Sequence, residues 1–250
     1  MSSKNKQKYI QSLYRKKNRA KEAIFIAEGR KTIELIIDSE FEIVELFGLD
    51  ASATYVEQYQ GRFTEISQKE LSQLPQLQHP DDGLALVRIP NKTPDFDQFN
   101  ELVVYLDRLN DPGNLGTILR LCEWFGCQTL LVNKGTTDVY QPKVVQASMG
   151  ALAFVDVFEV DNNCLDVLKT KGYTVATTAM QGKNIFELER LSSKTVLILG
   201  NEANGISDEL FEKADQTLSI PKDAKSASES LNVAMACGIL LAEFSRLSRF

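Results

Sequence analysis

The chain has 250 residues, 43% hydrophobic and 25% charged, with a net charge of −6. That is the composition of an ordinary soluble globular protein with one large domain or two modest ones. A membrane span, a secretory leader, a histidine base and a metal site are not expected. No apolar run is long enough, the N-terminus is basic and polar, and His79 is the single histidine.

The first 21 residues carry Lys4, Lys6, Lys8, Arg15, Lys16, Lys17, Arg19 and Lys21 and no acid, leaving a net −14 on the rest. A basic arm on an acidic body suits engagement of phosphates. Charge alone leaves that reading level with a solvated helix face. The pattern predicts one basic helix over 4–20, with Tyr9, Ile10, Leu13 and Tyr14 as its apolar positions. A strand at 23–29, a helix at 29–39, a strand at 41–49 and a closing strand at 84–90 complete a small mixed α/β region. Residues 90–100, punctuated by Pro90 and Pro94, are the expected linker between a domain at 1–92 and one at 100–250.

The second half alternates apolar strands and helices, which predicts a parallel sheet buried on both faces. Strands are expected at 101–109, 127–133, within 154–160, and around the sequences YTVATTA and TVLILG. Helices are expected at 114–126, over QPKVVQASMGA, CLDVLKTKG and ISDELFEKA, and at 227–246. Cys122, Cys127, Cys164 and Cys237 form no C-x-x-C pair and read as buried small hydrophobes in a cytoplasmic protein.

In open parallel sheets, ligands bind beyond the carboxyl ends of the strands. Three strand ends draw attention. Asp111-Pro112-Gly113-Asn114 is a turn that opens a helix carrying Gly116 and Arg120. Gly200-Asn201-Glu202-Ala203-Asn204-Gly205 places Glu202, an ion-pair partner or a functional acid, between glycines that let a ligand approach bare backbone. After Ile220-Pro221, a polar loop leads into the last helix. Ser226 and Glu229 there fit a capping box, while Ser230 and Asn232 sit at local cost in an apolar context. Neither the Rossmann glycine fingerprint nor a P-loop is present, which disfavours a nicotinamide dehydrogenase.

Together, DPGNLGTILRLCEWFG, LILGNEANGIS and IP…SLNVAMACGILLAE resemble the three ordered motifs of the SpoU/TrmH family of RNA ribose methyltransferases, within the SPOUT class. The front part, through its element order and FIAEGRKTIEL, is similar to the small α/β substrate-binding domain many members carry. The resemblance implies a C-terminal parallel-sheet α/β domain with a deep trefoil knot, preceded by a small α/β RNA-binding domain. It implies a homodimer with active sites near the interface, using S-adenosyl-L-methionine to methylate a ribose 2′-OH. Ribosomal RNA is favoured over transfer RNA.

Carried over by motif, Arg120 is the catalytic arginine, with Asn114, Glu202, Ser230 and Asn232 completing a polar cluster. Gly200, Ile220 and Leu231, with Thr178, would meet the cofactor. Lys4, Lys8, Arg15, Lys16, Arg19 and Arg30 would face RNA. From Pro221 to Ser230 the chain is two residues longer than the family pattern and has no glycine between them. Because arginine is normally protonated, Arg120 is expected to stabilise a developing alkoxide electrostatically. A non-catalytic RNA-binding protein on the same fold is the competing reading.

Overall fold

A computed structural model describes residues 3–49, 62–71, 73 and 83–248. The chain divides into two compact units, Met1–Asn91 with Asp138–Phe154, and Lys92–Thr137 with Val155–Phe250. His79 lies outside the described residues.

The first unit holds α1 (Ser3–Ser12), α2 (Lys16–Glu22), β1 (Ile24–Glu28), α3 (Arg30–Ile37), β2 (Ile43–Gly48), β3 (Phe63–Glu65), α4 (Gln68–Leu71) and β4 (Gly83–Arg88). Its sheet runs β1-β4-β2-β3, antiparallel except for the β2–β3 pair. Ile10 and Leu13 of the N-terminal segment are buried with Ile24, Ile26, Phe47, Leu84 and Leu86. Each such side chain withdraws apolar surface from water at about 1.5–3 kcal/mol.

The single basic helix expected over 4–20 is instead two helices. Arg15 is extended, and side chains reach back to the end of α1. Asn18 Nδ2 donates to the Ser12 carbonyl at 2.8 Å and Arg19 Nη1 to the Leu13 carbonyl at 2.8 Å. Carbonyls freed at a helix end must find donors, and these two side chains supply them. The short elements β3 and α4 carry too few residues to show a period in the sequence.

The segment Asp138–Phe154, with α6 (Pro142–Ser148), packs into this first unit rather than the second. Arg19, almost fully buried, pairs with Asp138, and the Phe25 and Tyr140 rings meet at 5.2 Å.

The second unit is a parallel six-stranded sheet in the order β10-β8-β9-β5-β6-β7. Its strands are β5 (Leu102–Leu106), β6 (Thr129–Asn133), β7 (Asp156–Val160), β8 (Thr174–Asn184), β9 (Thr195–Leu199) and β10 (Gln216–Ser219). Every residue of β6 and β9 is buried, as expected for strands covered on both faces. The helices are α5 (Pro112–Phe125), α7 (Cys164–Thr170), α8 (Asp208–Glu212) and α9 (Val233–Ser248). Helix α5 begins with Pro112 in its first turn and stops at Gly126, whose φ of 76° suits a residue without a Cβ.

Two features depart from the sequence expectation. Strand β8 is longer than foreseen and leaves its ladder: Thr177 pairs with Thr217, but Leu218 pairs with Lys183, so residues 178–182 swing out between. Helix α9 starts at Val233, not 227. Ser230 and Asn232 therefore precede it, and Asn232 Oδ1 takes the amides of Ala234 and Met235 at 2.9 and 3.2 Å. A side-chain acceptor at the first free amides is what an N-cap supplies. The Ser226–Glu229 capping box does not form. Ser226 instead donates its amide to the Asp223 carbonyl within the loop. At α8, Ser207 occupies the N-cap position without a side-chain cap bond.

Candidate active site

The candidate site lies beyond the carboxyl ends of β5, β9 and β10 and beside the excursion of β8. A cavity of about 830 Å³ opens there, within the range of small-molecule sites. Leu199, Ile206, Leu218, Val233 and Leu240 give it an apolar floor, and Gly200, Ile220 and Leu231 also line it. Thr178 joins them because the excursion of β8 carries it there, and its hydroxyl donates to the Ile198 carbonyl at 3.1 Å.

The turn after β9 is built on close backbone. A Cβ on Gly200 would lie 2.4 Å from the Gly205 carbonyl carbon, so only glycine fits. Asn201 and Gly205 exchange backbone bonds at 3.0 and 2.9 Å, and Asn201 Oδ1 accepts from the amides of Ala203 and Asn204. This turn presents Glu202 at the rim of the cavity.

Three of the residues singled out from sequence meet there. Asn114 Nδ2 donates to Glu202 Oε1 at 2.7 Å, and Asn232 Nδ2 donates to Asn114 Oδ1 at 2.9 Å. Asn114 is itself fixed because Asp111 Oδ1 caps its amide at 2.7 Å. Donor and acceptor alternate along the chain Asn232, Asn114, Glu202, leaving the second carboxylate oxygen of Glu202 and further lone pairs for a ligand hydroxyl. Ser230 and Leu231 also line the cavity, and both are exposed.

Arg120 is not drawn into this cluster. It is exposed on α5, and among the described residues none pairs with its guanidinium. Six residues from Asn114 carry it about 9 Å along the helix and about 120° around it. It shares an exposed stripe with Thr117 and Trp124, the latter 79% exposed.

Lys4, Lys8, Arg15, Lys16 and Arg30 are exposed, Arg30 pairing with Glu34 at 2.8 Å. Arg19 must be taken out of any RNA-facing set. It is 3% exposed, and its Nη1 and Nη2 donate to the Leu13 carbonyl and to Asp138. Arg19 has the same local signature in sequence as its neighbours, and only tertiary structure shows which cation is buried.

Residues given no part in the site from sequence also matter. Asp223 and Glu229 line the cavity, and Lys222 Nζ donates to the Ser228 carbonyl at 2.7 Å, closing the elongated loop on itself. Asp107, fully buried at the end of β5, accepts from Arg108, Asn133 and Ser207. Burial pushes its carboxyl upward, but those hydrogen bonds outweigh burial and hold the pKa below the ordinary aspartate value. A polar residue closing a run of apolar strand residues was the available signal. All four cysteines are buried, and burial pushes the Cys164 thiol up to about 12. Among the described residues no group of three or more His, Cys, Asp or Glu could hold a metal, and no helix is long and apolar enough to cross a membrane.

The sequence profile of the SpoU rRNA methylase family matches residues 101–242, and that of the MRM3-like substrate binding domain matches residues 4–85. Among curated proteins, the chain is 29% identical over 243 residues to the Bacillus subtilis 23S rRNA (guanosine(2553)-2′-O)-methyltransferase RlmP, covering 96% of each. A solved structure from Porphyromonas gingivalis, described as an RNA methyltransferase of the TrmH family, superposes with a TM-score of 0.86 at 32% identity. It covers 98% of this chain and 99% of that one. The S-adenosylmethionine-bound rRNA methyltransferase of Sinorhizobium meliloti gives 0.85 at 28% identity, over 96% and 94%.

Proposed function

The chain belongs to the SpoU rRNA methylase family, and on that premise we propose that it methylates a ribose 2′-OH of large-subunit ribosomal RNA. The methyl donor is S-adenosylmethionine. The observation that carries this reading is the Asn232–Asn114–Glu202 chain at the rim of the strand-end cavity. The RNA class follows from the B. subtilis relative, aligned over nearly all of both chains. A cytoplasmic location belongs to the same reading, supported by the bacterial rRNA methyltransferase relative.

The cavity suits the donor by size and by lining: an apolar floor for a purine, the bare backbone of Gly200 for a polar edge, and three carboxylates, Glu202, Asp223 and Glu229, for a cationic centre. When bound, the donor supplies an electrophilic methyl on a sulfonium. The residues of this chain have two tasks. Asn114, held by Asp111 and Asn232, orients Glu202 and with it the incoming hydroxyl, converting an encounter into a positioned reaction. Arg120 stabilises the developing alkoxide, a role its permanent charge fits better than proton abstraction.

That second task requires Arg120 to reach a cavity. The reading is therefore of a homodimer in which Arg120 of one protomer serves its partner's site. Support comes from the exposed stripe of α5 beside α9, where Trp124 and Met235 are 79% and 64% exposed. Gly238, by contrast, is used within the protomer, 3.5 Å from Leu121 at its Cβ position. The family's trefoil knot belongs to the same reading. It is supported by the tight passage of β8 against β10, where a Cβ on Gly182 would lie 2.7 Å from the Thr217 carbonyl.

The protein, incubated with radiolabelled S-adenosylmethionine and unmodified ribosomal RNA, is expected to deposit a single 2′-O-methyl mark. Arg120→Ala is expected to lose transfer while calorimetry still detects cofactor binding. Cofactor and RNA binding with no transfer by the unaltered protein would favour the non-catalytic reading, and transfer to transfer RNA alone would redirect the substrate.

A further inference from the structure

A network beside the cavity has no part in the chemistry above, yet it ends on the turn that carries Glu202. Leu106 of β5 is paired with Leu199 of β9, and the next amide, Asp107, donates to the Leu199 carbonyl at 2.9 Å. Arg108 then takes a left-handed conformation, φ 53°, rare for a residue with a long side chain. Four bonds hold it so. Its amide donates to Asn133 Oδ1 at 2.8 Å, its Nε to Asp107 Oδ1 at 3.0 Å and its Nη2 to Asp107 Oδ2 at 3.2 Å, and its carbonyl accepts from Asn201 Nδ2 at 2.7 Å. Asp107 Oδ2 receives the Ser207 amide at 2.7 Å, just beyond the other end of the 200–205 turn. Both ends of the turn are thus tied to the end of β5.

We propose that Asp107, Arg108 and Asn201 form a strut that positions the Glu202 turn for methyl transfer. Asp107 and Asn201 are positioning residues: they act through Glu202 and touch no reacting atom in this scheme. The left-handed Arg108 is what the strut requires, because that conformation turns its carbonyl toward Asn201 while its guanidinium returns to Asp107. Strained backbone held in place by several partners at a site's edge is a recurrent way of fixing geometry. The inference rests on the assignment of Glu202 to the active cluster, and its test separates the two.

Asn201→Asp keeps the acceptor that organises Ala203 and Asn204 but removes the donor to Arg108. Asp107→Asn removes the buried charge at nearly constant shape. In the cofactor-free protein, hydrogen exchange at the Gly205 and Ser207 amides is expected to accelerate about tenfold in either variant, as loss of one buried hydrogen bond implies. Protection in β5 and β6 should stay unchanged. At saturating cofactor and RNA, Asn201→Asp is expected to lower turnover at least about tenfold in the natural background and less than about twofold in a Glu202→Gln background. Unchanged protection at Gly205 and Ser207, or equal turnover loss in both backgrounds, would overturn the strut. Faster exchange with Glu202→Gln as active as the natural protein would uphold the strut and discard the role of Glu202 instead.

Discussion

Asn232 does two jobs with the two ends of one amide. Its oxygen caps α9 and its nitrogen donates to Asn114. The jobs can be separated. Asn232→Asp keeps the cap and loses the donor, so we expect a near-natural melting temperature and turnover reduced at least about tenfold. Asn232→Ala loses both, adding a destabilisation of about 1 kcal/mol, read as a melting temperature lowered by about 2–4 °C. Equal thermal loss in the two variants would show that the cap is not what Asn232 supplies. Asp107 sets an acid limit. Its folded pKa is depressed, so its contribution to stability is complete above the unfolded value of about 3.9 and is lost as pH falls through the folded one. Denaturant titrations between pH 2 and pH 7 should show a shallower acid decline for Asp107→Asn than for the natural chain; parallel curves would contradict this. At this scale the sequence was informative where an odd residue type stood at a strand end, as with Asn114, Glu202 and Asn232. It was silent about Arg19, whose burial depends on Asp138, more than a hundred positions away.

The strands and the longer helices of the second unit were legible because burial on both faces leaves near-continuous apolar runs. Their ends were not, since side-chain caps and close backbone contacts decide them. The start of α9 moved to Val233 because Asn232 captures two amides. The excursion of β8 at 178–182 had no signal, being set by the passage of β10 beside Gly182. The N-terminal segment teaches a related lesson. Ile10 and Leu13 are buried in the core of the first unit, so removing residues 1–21 would expose that core rather than merely remove charge. The proper test of RNA capture is charge replacement at exposed positions. Changing Lys4, Lys8, Arg15 and Lys16 to Gln is expected to weaken binding to ribosomal RNA and flatten its salt dependence, each lost phosphate contact reducing the slope by about 0.7–0.9. Identical affinity and slope across salt concentrations would remove these residues from the RNA interface.

At the scale of the molecule, the chain leaves the first unit after Asn91 and then crosses back once, a return with no signal in the sequence. Asp138–Phe154 returns to the first unit through α6, and the local pattern of that helix is no different from those around it. The proposed dimer is also decided at this scale. Trp124→Glu places a charge on the exposed stripe of α5, far from the polar cluster. Light scattering is expected to show a monomer, with methyl transfer lost because Arg120 no longer meets a partner's cavity; a fully active monomer would contradict the shared site. The central claim is that the strand-end cavity with its Asn114–Glu202 pair methylates ribose. It is tested most directly by mapping the product of the purified protein, S-adenosylmethionine and unmodified 23S ribosomal RNA. The account predicts one 2′-O-methylated nucleotide that is absent with Asn114→Ala. A methyl group on a base, or an undiminished mark with that variant, would contradict it.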